Sequence, residues 1–252
     1  MLRDTWLVFG RAVRQLLRNP FWVVFGLVQP ILYLSLFGPL LIRVTENTPG
    51  FPPGDAWQIF VPALLVQMGM FGGLFVGFGL IAEYRAGVIE RMRVTPASRT
   101  ALLAGRVLRD GMVTLAQAIL MVLIAVVFGL RVPWQGAVLG LAIMVLLGLA
   151  LSATSYAVAL RVKSEDAFAP ILNAVVLPVV LLSGILLPMQ LAPQWLFTLS
   201  RINPFSHVVD AERAAFLGDF GSRTVLVGGL VTAGLVVLAA LWGTRTFQRD
   251  NA

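Results

Sequence analysis

Six stretches without a single charged side chain dominate this sequence. They run over residues 19–42, 56–82, 111–130, 132–160, 167–200 and 224–244, and hold 24, 27, 20, 29, 34 and 21 residues. A helix needs ~20 mostly apolar residues to cross a bilayer, and a run of ~18 already marks a candidate span. Every stretch qualifies. Apolar residues make up 58% of the 252 and charged residues only 12%, against ~25% charged in soluble domains. Water is therefore not the main solvent of this chain. The expected fold class is an all-α membrane protein with six transmembrane helices, forming a single domain over 1–252.

The fifth stretch is too long for one span, since its 34 residues would reach ~51 Å as helix across a ~30 Å hydrocarbon core. Pro188 and Pro193 divide it. The expected spans are 20–42, 57–82, 107–130, 134–160, 167–187 and 223–244, with a re-entrant or interfacial external segment inside 188–222. A cleaved signal peptide is not expected, because the first apolar run exceeds ~20 residues and no small-residue site follows it.

Basic residues set the orientation of such a chain. Fourteen fall on one side: Arg3, Arg11, Arg14, Arg18, Arg85, Arg91, Arg93, Arg99, Arg106, Arg109, Arg161, Lys163, Arg245 and Arg249. Five fall on the other: Arg43, Arg131, Arg201, Arg213 and Arg223. Both termini are expected in the cytoplasm of a multi-pass cell-membrane protein. The net charge of +7 belongs to this asymmetry, and no nucleic-acid partner is expected. Trp22, Trp57, Trp134 and Trp242 stand at span ends, where amphipathic rings prefer to sit.

Three parts lie outside the spans. Residues 1–19 place Leu2, Trp6, Phe9, Val13, Leu16 and Leu17 on one helical face and Arg3, Asp4, Arg11, Arg14, Gln15 and Arg18 on the other. That pattern describes an amphipathic helix lying in lipid headgroups. The cytoplasmic loop 83–106 carries an apolar stripe at Tyr84, Val88 and Met92, with Ile89 beside it, and Pro96 stops the helix. The stripe has no core of its own and needs headgroups or a protein partner. The longest external segment holds His207, read as a bystander, and Asp210, Glu212 and Asp219, read as solvated because their spacing matches no calcium loop.

Much chemistry is excluded. There is no cysteine and one histidine, so neither thiol chemistry nor a histidine-based metal cluster is expected, and no metal site is assigned. The sequence has no G-x-x-x-x-G-K-[ST] phosphate loop, no H-E-x-x-H and no G-x-S-x-G. The chain is not expected to be an enzyme or to bind a cofactor. No ionisable residue lies deep in a span, which argues against ion-coupled transport and fits amphiphilic cargo powered from outside the bilayer. Asp110, at a span entrance beside Arg106 and Arg109, is expected to pair locally. Gly69, Gly73 and Gly77 form overlapping G-x-x-x-G units that let one face of span two pack closely, and Pro30 and Pro178 are expected to bend spans one and five.

The run Glu83-Tyr84-Arg85-Ala86-Gly87-Val88-Ile89-Glu90-Arg91-Met92-Arg93-Val94-Thr95-Pro96 resembles the ER-x-G-T-xE-RL-x-VTP signature of type-2 ATP-binding-cassette (ABC) permeases. So do Ser183-Gly184-Ile185-Leu186-Leu187-Pro188, Pro193-x-Trp195 and Ile202-Asn203-Pro204. The resemblance covers essentially the whole chain and is nearest to bacterial daunorubicin-resistance-type exporter permeases. Val88 stands where that family often has Thr or Ser. The resemblance implies two permease copies, as a homodimer, and two separate nucleotide-binding subunits that hold the ATP and Mg. It implies that Glu83, Tyr84, Arg85, Gly87, Val88, Ile89, Glu90, Arg91, Met92, Arg93 and Pro96 dock on the ATPase. It also pairs spans two and five along the cargo route. Gln67, Phe71 and Phe75 share one face of span two, and Asn173, Leu177 and Leu181 one face of span five, so these are the expected lining. Leu186, Leu187, Pro188, Trp195, Asn203 and Pro204 would form the external gate. The expected cargo is a hydrophobic drug or lipid-like compound, with membrane lipid as a further partner. Alternatives are export of a lipid-linked glycan and a non-transporting membrane scaffold.

Overall fold

The computed structural model describes residues 21–47, 53–88 and 99–249, together with positions 10 and 14. The rest of the expected amphipathic helix 1–19 and residues 89–98, with Pro96, lie outside the described residues. The apolar stretches are helical: α1 Phe21–Asn47, α2 Ala56–Leu74, α3 Val76–Arg85, α4 Arg99–Val127, α5 Trp134–Val162 and α6 Glu165–Ser183. A 3₁₀ turn Met189–Leu191 follows, then α7 Gln194–Ser200, α8 Pro204–Leu217 and α9 Arg223–Arg249. Six segments are long and apolar enough to cross a membrane: Gly26–Thr45, Ala56–Arg85, Leu103–Val127, Trp134–Val162, Glu165–Ser183 and Arg223–Thr246. No strand occurs among the described residues. This is an all-α, six-span membrane protein.

Local sequence explains where these helices start and stop. Asp55 caps α2: its carboxylate accepts from the Gln58 N–H at 2.9 Å, and Gln58 Oε1 accepts from the Asp55 N–H at 3.2 Å. This reciprocal box satisfies two N–H groups that a helix start leaves open. The α6 helix ends at Ser183, four residues before the expected 187, because Gly184 takes the left-handed conformation at φ +79°. Glycine carries no Cβ penalty there, and it stops the helix before Pro188 can. Pro30 and Pro178 lie inside α1 and α6, which run on past them.

The α5 helix is the hub, packed against α2, α3, α4, α8 and α9. In lipid, apolar faces have no hydrophobic reason to separate from the bilayer, so small residues that permit close approach drive association. Here α5 buries Gly136, Gly140, Gly148, Ala150, Ser152, Ala153, Ser155 and Ala157. The glycine face of span two meets it: a Cβ on Gly73 would lie 2.7 Å from Leu151 Cβ and 2.9 Å from the Gly148 carbonyl.

Span two breaks between α2 and α3 at Phe75. No proline causes this. The Ser155 hydroxyl of α5 inserts at the break, donating to the Leu74 carbonyl and accepting from the Gly77 N–H at 3.0 Å. A side chain inserted into the hydrogen-bond ladder is a recognised cause of helix breaks. Replacing Ser155 with Ala is expected to cost about 1–3 kcal/mol by leaving buried backbone groups unpaired. Thr at 155 should restore most of it. Thermal unfolding of the detergent-solubilised variants checks this, and equal midpoints for Ala and Ser would refute it.

Candidate functional site

The described part of the expected docking element sits at the arginine-rich end of the bundle. Glu83, Tyr84 and Arg85 close α3, Gly87 turns at φ +68°, and Val88 is half-buried beyond it. Ile89, Glu90, Arg91, Met92, Arg93 and Pro96 lie outside the described residues. The α3 end is fastened to its neighbours. Arg106 of α4 donates to the Glu83 carboxylate at 2.5 Å. Arg85 lies 3.6 Å from Glu165 at the start of α6. The Lys163 ammonium sits 5.2 Å from the centre of the Tyr84 ring, a favourable cation–π distance.

One turn further along α4, Asp110 is buried, as local pairing requires. It accepts from Arg109 Nε at 2.9 Å and from Arg109 Nη2 at 2.6 Å. Tyr156 of α5 donates to its other oxygen at 2.6 Å. A buried carboxylate held from both sides in this way rigidifies its surroundings. Glu83–Arg85 thus contacts α4 and α6, and α4 is tied to α5 through Asp110 and Tyr156.

The expected route residues are placed unevenly. Phe75 is 42% exposed and Phe71 half-buried, but Gln67 is 7% exposed and faces the protomer interior. On α6, Asn173, Leu177 and Leu181 lie on one exposed face, with the two leucines 62% and 52% exposed. An aromatic row joins the two spans. Phe71 and Phe75 have ring centroids 5.8 Å apart, Phe75 and Phe78 5.9 Å, and Phe78 meets Phe168 of α6 edge-on at 4.9 Å. Phe168 is fully buried, so the row ends in the core.

At the opposite end, Leu186, Leu187 and Trp195 are exposed, while Pro188 and Asn203 are buried. Asn203 caps α8 by accepting from the Phe205 N–H at 3.1 Å, and its amide donates to the Val179 carbonyl of α6 at 2.8 Å. Pro204 occupies the first helical turn, where its missing N–H costs nothing. Arg213 of α8 donates through Nε to the Ile59 carbonyl of α2 at 3.0 Å and through Nη2 to the Gly184 carbonyl at 2.7 Å. One side chain thus joins the ends of both expected route spans. Burial lowers the Arg213 pKa to about 10, against the opposing pull of Asp210, so it stays charged at neutral pH.

The reading of Asp210, Glu212 and Asp219 as solvated is corrected for two of the three. Asp210 is largely covered and pairs with Arg201 at 2.7 Å. Glu212 is 0% exposed, and neither carboxylate oxygen has a partner among the described residues. Burial alone pushes its carboxyl well above the ordinary range. His207 Nε2 lies 3.1 Å from the Arg201 carbonyl, a structural contact. Among the described residues no group of acidic or histidine side chains could hold a metal ion.

A family model described as ABC-2 type transporter matches residues 3–217 of this spanning bundle. The chain belongs to the ABC-2 type transporter family. It is similar to the "Daunorubicin resistance ABC transporter permease protein DrrB1" of Streptomyces coeruleorubidus, at 24% identity over 91% of this chain and 79% of that one. It is also similar to the "Probable doxorubicin resistance ABC transporter permease protein DrrC" of Mycobacterium tuberculosis, at 26% identity over 94% and 86%. Membership makes this ABC-2 chain a multi-pass transport permease, a class that associates with an ATP-binding subunit. Sequence reasoning missed Arg213 in this permease, while Ser155, a polar residue within a span, makes the helix–helix hydrogen bonds that such residues are expected to make. Arg213 carried a signal: Phe205, Val208, Val209, Glu212, Arg213 and Phe216 share one helical face, and charges on an apolar face need buried partners.

Proposed function

We propose that this permease is the membrane subunit of an ABC exporter that moves hydrophobic drug or lipid-like compounds outward. A separate nucleotide-binding subunit hydrolyses the ATP, and two copies of each subunit form the working unit, with both permease termini cytoplasmic. The observation that carries the reading is the exposed face of α6. It presents Asn173 among Val175, Leu177 and Leu181, with Phe75 exposed on the neighbouring span. An amide facing hydrocarbon is costly. An apolar surface with an isolated polar group suits a second permease copy enclosing a small amphiphile. The names of the relatives, which speak of daunorubicin and doxorubicin resistance, support a drug-like cargo. A wide glycan channel would need a longer run of exposed rings, and here the aromatic row turns inward at Phe168.

Vesicles holding the permease with its ATPase subunit test the cargo, with daunorubicin as probe. Phe75→Ala and Asn173→Ala are each expected to lower daunorubicin-stimulated ATPase activity several-fold while the ATPase subunit still co-purifies. Unchanged stimulation in both would place the route elsewhere. The docking role has its own check. Val88→Asp puts a charge on the apolar stripe, a cost of a few kcal/mol once buried in an interface. The variant should insert normally yet lose at least nine-tenths of the co-purifying ATPase subunit. Full recovery would reduce 83–106 to a connector.

A further inference from the structure

The α8 helix is clamped unusually tightly. Gly136 and Gly140, four residues apart on α5, form a groove in which it lies. A Cβ on Gly136 would come within 2.2 Å of the Ala215 carbonyl oxygen, and one on Gly140 within 2.5 Å of Glu212 Oε2 and 2.6 Å of the Phe216 ring. On the other flank, a Cβ on Gly228 of α9 would meet Ala211 Cβ at 2.3 Å and the His207 carbonyl at 2.6 Å. One oxygen of the Glu212 carboxyl thus lies against the Gly140 backbone, with both oxygens unpartnered among the described residues.

Among the described residues no cation pairs with it. On α8 itself, Arg213 is committed to the Ile59 and Gly184 carbonyls and Asp210 to Arg201, while His207 meets the Arg201 carbonyl. The only charged residue of α5 is Arg161, at its far end, and α6 has Glu165 and Asp166 in its first turn. The α2 helix has none, and α9 has Arg223 at its start and Arg245 and Arg249 in its last turns. An ionised carboxylate without water, donor or counter-ion is far costlier than the neutral acid. We infer that Glu212 is a proton-binding site that fastens α8 to α5. With the proton bound, the helix stays in the glycine groove. When the carboxyl gives its proton to water, the resulting carboxylate leaves the groove and α8 undocks. The helix so released is the one whose Arg213 joins the ends of α2 and α6.

The sign follows from linkage. Undocked, the carboxyl has an ordinary pKa of about 4.3. Docked, its pKa is higher, so the docked state binds more protons. Docking is therefore fully favoured below about 4.3 and weakens by up to tenfold per pH unit above it, until the docked pKa is reached. The chain has no cysteine, and Val209 is fully buried on α8, so Val209→Cys reports undocking by reaction with a water-soluble maleimide. The full chain would be held in detergent micelles and labelled from pH 5 to 8, once with Glu212 intact and once with Glu212→Gln added. Dividing the first rate by the second cancels the titration of the thiol itself. That ratio should rise severalfold or more per pH unit from pH 5 upward until the docked pKa is reached. A ratio constant across that range would overturn the proposal. Thermal midpoints of the chain and of Glu212→Gln, both with Val209 intact, provide a second readout. The amide variant should gain on the parent as pH rises, and a pH-independent difference would equally overturn it.

Discussion

Replacing Arg213 with Ala is expected to lower the thermal midpoint of the solubilised permease by about 10 °C. The guanidinium is buried and bonds two carbonyls on two different helices, Ile59 of α2 and Gly184 at the end of α6. Its position at the α6 C-terminus adds the favourable field of unpaired carbonyls there. Truncation leaves the Gly184 carbonyl unpaired at about 1–3 kcal/mol, removes the added bond to the Ile59 carbonyl inside α2, and opens a cavity besides. Relief of a buried charge whose Nη1 lacks a partner offsets part of this. The net cost is about 3–5 kcal/mol, and about 2–4 °C per kcal/mol applies to chains of ~150–250 residues. Lys at 213 should fall between, because a single ammonium cannot span two carbonyls as the planar fork does. Differential scanning fluorimetry of the three proteins decides the matter. A midpoint for Arg213→Ala within about 2 °C of the parent would show that α8 is held by its apolar face alone.

The number of spans was legible because hydropathy is a local property. Each charge-free run had the length of a membrane crossing before any contact was known. The break at Phe75 was not legible, because its cause is the Ser155 hydroxyl, 78 residues from Gly77 in the chain. The end of α6 was misplaced for a simpler reason. Pro188 is the stronger breaker by rank, but Gly184 precedes it and needs no tertiary help to turn left-handed. Glu212 was misread and Arg213 missed because charge was counted along the chain and not around the helix. Gln67 and Phe75, expected on one face, differ in surroundings, since Gln67 lies within α2 and Phe75 at the break that follows it. The apolar stripe of the loop 83–106 was readable from spacing and its expected docking role only through the resemblance, and the structure describes Glu83 to Val88 of it.

The glycines of span two give the other large effect, and they separate packing from mere helix propensity. A Cβ on Gly73 would meet Leu151 Cβ at 2.7 Å, the Gly148 carbonyl at 2.9 Å and the Ser152 nitrogen at 3.2 Å. These are backbone atoms or one bond from backbone, so no side chain can swing aside, and α2 must move off α5. Gly234, inside α9, has nothing within 4 Å of such a Cβ. Ala at 234 should therefore be neutral or stabilise by up to about 1 kcal/mol through helix propensity. Ala at 73 gains the same propensity and is expected to lose more through overpacking, a cost of about 1–3 kcal/mol. Val at 73 should abolish accumulation of monodisperse protein. It would also pull Leu74 and Gly77 away from Ser155, so the break that aims Phe75 outward would lose its support. Gel filtration of the solubilised Gly73→Val and Gly234→Ala variants provides the comparison. Equal yields of folded protein from the two would mean that the close α2–α5 contact is not what holds the bundle together.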